Sequence, residues 1–141
     1  TIKNTVDLFV SNALSGNSVA IIADNDSDRT NGGTIELENS AEFFGSGNNS
    51  YILFVSMNNH ASTVGDDEAI EVQNSASGDL LLYAPYGKVL LQNSIQIKEV
   101  TAYKIHLKNS AEVAYDTGLI NLLFDSGPSG GYTVGGWGET Q

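Results

Sequence analysis

The chain has no cysteine, so neither a disulfide framework nor a thiolate metal site is open to it. Proline is nearly missing as well, with only Pro85 and Pro128. Basic side chains are few: six against seventeen acidic ones, for a net charge of −11. A chain of that charge is repelled by phosphate backbones, which excludes nucleic acid as a natural partner. No apolar run is long enough to span a bilayer, so no direct membrane span is expected. No window of a dozen residues shows the i, i+3, i+4, i+7 pattern of an amphipathic helix. His60 and His106 are the only histidines, and neither stands in a zinc motif or beside a nucleophile elbow. No methionine opens the chain and no signal peptide precedes Ile2, which reads as a processed product or a fragment cut from a longer chain.

What is present is a repeated unit. Val89-Leu90-Leu91-Gln92-Asn93-Ser94-Ile95-Gln96-Ile97 returns as Ile105-His106-Leu107-Lys108-Asn109-Ser110-Ala111-Glu112-Val113. Two more copies lie upstream, at Thr34 to Phe43 and at Ala69 to Ala76. Within the four copies the Asn-Ser pair stands at 39, 74, 93 and 109. Stacked repeats of this kind predict an all-β fold, a right-handed parallel β-helix with coils of roughly 16–19 residues. On that period the long gap between Asn39 and Asn74 reads as two coils, with Tyr51 to Met57 as the strand of the intervening one. The whole chain, 1–141, reads as one domain. Asparagine suits a corner because it tolerates positive φ, and stacked corner amides can hydrogen-bond along a column.

The opening residues alternate strand and turn signals: a strand over Thr5 to Val10, a turn over Asn12 to Asn17, and a buried strand over Val19 to Ala23. Leu119 to Phe124 reads as a last strand. The Gly-rich tail 126–141 carries Trp137, either as a cap on the final coil or as an anchor for a neighbour.

Charge is uneven. Residues 1–87 carry −10 and residues 88–141 carry −1. Stacking the repeats predicts outward columns Glu36, Glu71, Leu90, His106 and Glu38, Gln73, Gln92, Lys108, with a third of Thr34, Ala69, Lys88, Lys104. One face would pass from acidic to basic and steer copies of the protein together. The candidate self-association residues are thus Glu36, Glu71, Lys88, Lys104, Lys108 and Trp137. Asp24, Asp26 and Asp28 alternate in a polar loop, a spacing that suits Ca²⁺, although Arg29 and Ile35 depart from a complete calcium loop. Asp66-Asp67-Glu68 reads as a solvated acidic turn.

Residues 79–116 resemble the β-helical domain of bacterial surface proteins related to PilX-type pilus assembly. The likeness rests on Tyr83-Ala84-Pro85, the two Asn-Ser repeats that follow, and the closing Tyr115-Asp116. Trp137-Gly138-Glu139 is similar too. The resemblance implies an exported, cell-surface, non-enzymatic module associated with pili. The expected partners are other copies of itself or surface and pilus proteins, and no cofactor is expected apart from Ca²⁺ at the aspartate loop. Two further classes are open. A carbohydrate-binding or polysaccharide-cleaving β-helix would present aromatic residues in a groove, with Tyr51, Tyr83, Tyr86, Tyr103 and Tyr115 as candidates. A scaffold resembling bactofilins would polymerise end-to-end through apolar, uncapped terminal coils.

Overall fold

The computed structural model describes residues 1–14, 16–47 and 49–114. They are almost entirely β-structure, and every strand pairing is parallel. The strands are β1 (Asp7–Phe9), β2 (Val19–Ala23), β3 (Ile35–Leu37), β4 (Glu42–Phe44), β5 (Ile52–Ser56), β6 (Glu68–Gln73), β7 (Ser77–Gly78), β8 (Leu80–Gln92), β9 (Gln96–Ile97), β10 (Glu99–Lys108) and β11 (Glu112–Val113). One sheet runs β1-β4-β7-β9-β11. The other runs β2-β5-β8-β6-β3, with β10 also paired to β8. Helix is confined to a 3-10 turn at Asn12–Leu14 and one α-helical turn, α1 (His60–Thr63).

The registers show how the chain returns on itself. Each pass makes three strand segments, and each segment lies beside its counterpart one pass earlier. Ile35, Glu36 and Leu37 face Ile70, Glu71 and Val72. These face Val89, Leu90 and Leu91, which in turn face Ile105, His106 and Leu107. The long β8 and β10 each supply two segments, because Pro85 to Gly87 and Tyr103 join them without a loop.

Asn-Ser corners sit between the first and second segments. Both residues of each pair are left-handed: Asn39 and Ser40 at φ 59° and 62°, Asn74 and Ser75 at 59° and 67°, Asn93 and Ser94 at 66° and 61°. Two consecutive residues in that region turn the chain sharply from one sheet into the other, and asparagine bears the conformation better than other non-glycine residues. The corners are tied twice. Backbone N–H groups of Ser40, Ser75 and Ser94 donate forward to the carbonyls of Asn74, Asn93 and Asn109 at 2.8, 3.1 and 3.0 Å. Side-chain amides donate backward: Asn74 to Asn39 at 3.1 Å, Asn93 to Asn74 at 3.0 Å and Asn109 to Asn93 at 2.9 Å.

A fifth corner heads the column. Asn4 and Thr5 share the left-handed geometry, at φ 66° and 53°. Asn39 donates to the Asn4 amide oxygen at 3.3 Å, and Thr5 N–H donates to the Asn39 carbonyl at 2.9 Å. Ile2 bridges Leu37 in parallel. Residues 1–8 are therefore a copy of the unit.

The expected period needs correction. Asn39 and Asn74 hydrogen-bond directly although they lie 35 residues apart. One pass connects them, not two, and the step from Asn4 to Asn39 is also 35 residues. Tyr51 to Met57 serves the same pass as its third segment, since β5 lies between β2 and β8. The extra length goes into excursions, chiefly 24–34 and 57–67, that leave the strand registers untouched.

The interior is aliphatic and aromatic. Leu37, Phe43, Ile52, Phe54, Ile70, Val72, Leu80, Leu82, Val89, Leu91, Ile95 and Ile97 are all buried. Alternation explains the set: Ile52, Phe54 and Ser56 point in, while Leu53 and Val55 point out. Ser56 is a buried polar exception, and its hydroxyl donates to the Gly33 carbonyl at 2.7 Å. Asn58, also buried, donates to the Thr30 and Gly32 carbonyls at 3.2 and 2.9 Å. These bonds fasten the two excursions to each other. No buried side-chain polar atom lacks a partner among the described residues. Gly78, at φ 127°, lies against the backbone of Phe43, where a Cβ would collide with the Phe43 carbonyl.

Candidate functional site

The outward columns follow from the registers. Glu36, Glu71, Leu90 and His106 do stand in one column, and Gln73, Gln92 and Lys108 in the next. The third column differs from expectation. A register shift between Glu68 and Ile70 sets Lys88 opposite Glu68 rather than Ala69. Lys88 and Lys104 face each other as expected.

Lys88 is not a free surface charge. It is only 6% exposed. Its ammonium donates to the Asp66 carbonyl and lies 3.0 Å from Glu68 and 3.3 Å from the Asp66 carboxylate. Lys104 reaches the same Asp66 at 3.0 Å. The acidic turn 66–68 thus clamps two lysines from successive passes, where the sequence suggested a merely solvated stretch. Burial depresses Lys88, but Glu68 and Asp66 outweigh it and hold its pKa above the ordinary lysine value. The hydrogen bonds from Lys104 and Lys88 hold the Asp66 carboxyl below the usual aspartate range. His60 is drawn to the same excursion: Nε2 lies 3.3 Å from Asp67, and Nδ1 lies 3.2 Å from the Thr30 carbonyl.

The charge gradient needs a second revision. Lys3 continues the Glu38 column at the amino end, 3.0 Å from Glu38 and 3.5 Å from Glu36. The face therefore runs from one lysine through an acidic band to the Lys104–Lys108 strand, not from acidic to basic in one sweep. The unit containing Lys3 was legible at an offset of 35 residues, with Thr5 in place of the serine.

Glu71 sits in the middle of the acidic band. Burial raises its carboxyl above the ordinary value of 4.5, with further help from Glu68, Glu36 and Glu38, against a hydrogen bond from Gln92. A carboxyl whose folded pKa is raised binds its proton more tightly in the folded state, so its contribution falls as pH rises through the window just above 4.5. Asp66 and Asp24 act oppositely: depressed in the folded state, they lose their contribution only as pH falls below the ordinary value of 3.8. Stability against urea is expected to rise on acidification from neutral pH towards 4.5, then fall below 3.8. Glu71→Gln should flatten the first limb and leave the second, which urea titrations at a series of pH values would check.

The three alternating aspartates do not converge on one point. Arg29 donates to both oxygens of Asp24, at 2.7 and 2.8 Å, and lies 3.2 Å from Asp26. Asp28 accepts from the Asn31 backbone N–H at 3.1 Å and from its amide at 3.1 and 3.0 Å. The Arg29 guanidinium holds the Asp24 carboxyl below its usual range. A cation would have to displace Arg29 from Asp24 before using these ligands. No group of three His, Cys, Asp or Glu side chains able to hold a metal occurs among the described residues.

Compared with known families, curated proteins and solved structures, the chain matches none. The pilus-protein likeness therefore rests on its motif residues alone.

Two surfaces remain distinctive. The first is the edge made by β1 and β2, which end their sheets among the described residues. Val19 N–H bonds to Tyr51 and the Ala23 carbonyl accepts from Met57, so the backbone groups of Ala20 and Ile22 point away from β5. Ile22 is 55% and Phe9 66% exposed, and Val6 and Ile21 are exposed beside them. The second is aromatic. Tyr83, Tyr86 and Tyr103 are exposed on β8 and β10, whereas Tyr51 is buried. The register from Ala84–Ala102 to Lys88–Lys104 brings Tyr103 opposite the stretch carrying Tyr86. Of the candidate residues, Trp137 and Tyr115, like the strand expected at Leu119 to Phe124 and the tail 126–141, lie outside the described residues. No described helix is long and apolar enough to cross a membrane.

Proposed function

We propose that the chain is a right-handed parallel β-helix acting as a non-enzymatic structural module at the cell surface, a subunit or accessory of a filament or pilus. The observation that supports this reading most is the pairing of an uninterrupted corner ladder with an open apolar edge. The ladder makes the three strand segments of each pass a template for the next. Among the described residues, the β1–β2 edge offers unpaired backbone groups and exposed Ile22 and Phe9 to another copy. Edges of this kind are otherwise blunted by charge, proline or a covering element. The motif Tyr83-Ala84-Pro85 and the repeats after it bring the pilus class and the exported location to the reading. Electron microscopy of the purified chain at low salt is expected to show filaments or paired rods. A uniformly single particle at all concentrations would reject self-assembly.

A second reading is carbohydrate binding, favoured by the exposed Tyr83, Tyr86 and Tyr103 on adjoining strand segments. Tyrosine faces stack on sugar rings and their hydroxyls reach sugar hydroxyls. Retention on an immobilised polysaccharide that is lost when all three become alanine would support it.

A further inference from the structure

We infer that two copies of this chain join through their β1–β2 edges about a two-fold axis, amino end to amino end. This deepens the self-assembly reading and rests on it. Two stacking modes are open to a free parallel edge. In the head-to-tail mode the columns of the described residues continue into the next copy. Lys108 would then lie over Lys3, because both belong to the Glu38–Gln92 column. Glu112 would lie over Asp7, since Asp7, Glu42, Ser77, Gln96 and Glu112 form one column. Like charges would meet on both faces, which costs affinity and slows encounter.

Turning one copy over reverses that outcome. Lys3 lies on the segment before the Asn4 corner, and Asp7 lies on the segment after it. An axis through β2 and that corner exchanges the two segments. Each Lys3 then faces the other copy's Asp7, twice per dimer. The same axis lays β2 antiparallel to its symmetry mate. Centred on Ile21, that pairing puts the free backbone groups of Ala20 opposite those of Ile22, the arrangement that an antiparallel hydrogen-bonded pair requires. An axis through either other face brings no Lys3 to the mate's Asp7. Charge selects this axis among the three, and the backbone of β2 accepts it.

The absence of cysteine makes the register directly readable. Ala20→Cys and Ile22→Cys chains are mixed under mild oxidation. Both sites lie on the exposed edge strand, so neither change disturbs the interior. The expected result is a disulfide heterodimer formed far faster than either homodimer, since residue 20 faces residue 22 of the mate at a separation suited to a disulfide. Sedimentation should show that Lys3→Asp or Asp7→Lys alone weakens dimerisation by about tenfold, and that the two together recover it to within about threefold. Ile22→Lys should abolish the dimer while circular dichroism stays unchanged. Association that ignores all these changes would overturn the two-fold edge and leave self-assembly standing. A chain that stays monomeric at every concentration would overturn both.

Discussion

Asn74→Val is expected to destabilise the protein by about 3 kcal/mol, read as a shift in the urea midpoint at neutral pH. Three losses contribute. Asn74 holds φ at 59°, a conformation that costs a β-branched residue about 1–2 kcal/mol more than it costs asparagine. Its amide donates to Asn39 at 3.1 Å, and its oxygen accepts from Asn93 at 3.0 Å. Each such bond is worth roughly 0.5–1 kcal/mol net at an exposed site. Asn74→Gly separates the terms, because glycine accepts the backbone angle freely and forfeits only the two amide bonds. It should cost about 1–2 kcal/mol. Asn109→Gly is a further control, since only the bond to Asn93, at 2.9 Å, joins Asn109 to this amide column among the described residues. If valine and glycine at position 74 gave equal losses, backbone conformation would not be what selects asparagine at the corner.

Much of this was legible because the corner residues repeat with their neighbours. Asn93 and Asn109 are 16 residues apart, and a constant alternation on either side fixes which side chains turn inward. The strand Val19–Ala23 and the polar loop after it were legible, since one is a continuous apolar run and the other has no apolar residue, but the expected burial of that strand was wrong: β2 ends its sheet and leaves Ala20, Ile21 and Ile22 exposed. The length of a pass was not legible between Asn39 and Asn74. Excursions carry no periodic signal, so a 35-residue pass looks like two shorter ones until Asn39 is seen bonded to Asn74. The role of Asp66 to Glu68 was hidden too. Only folding brings that turn to Lys88 and Lys104, which are 22 and 38 residues away from Asp66. The one-residue shift that moved Lys88 opposite Glu68 is a local irregularity of the ladder, which hydrophobic pattern alone does not reveal.

The sharpest consequence of the inward–outward alternation lies in two neighbouring phenylalanine pairs. Phe54→Ala is expected to cost about 3–5 kcal/mol, the range for truncating a fully buried aromatic. Phe54 is 1% exposed and lies between Ile21 and Leu82 on the adjoining strands. It meets Phe43 edge-on, with centroids 5.4 Å apart and planes at 80°. Its removal opens a hole in a close-packed interior and also forfeits that aromatic contact. Domains of this kind are stable by only about 5–15 kcal/mol, so the variant should melt far below the parent. Phe44 is one residue from Phe43 and points the other way. It stacks on Phe9 at 4.7 Å and 11°, and Phe9 is 66% exposed. Phe44→Ala should therefore cost no more than about 1 kcal/mol. Thermal or urea unfolding of the two variants side by side decides the matter, since chemistry and size of the deleted group are the same and only the face of the strand differs. Equal losses would mean that Phe44 is as enclosed as Phe54, and the inward–outward assignment of β4, together with the open edge built on it, would have to be withdrawn.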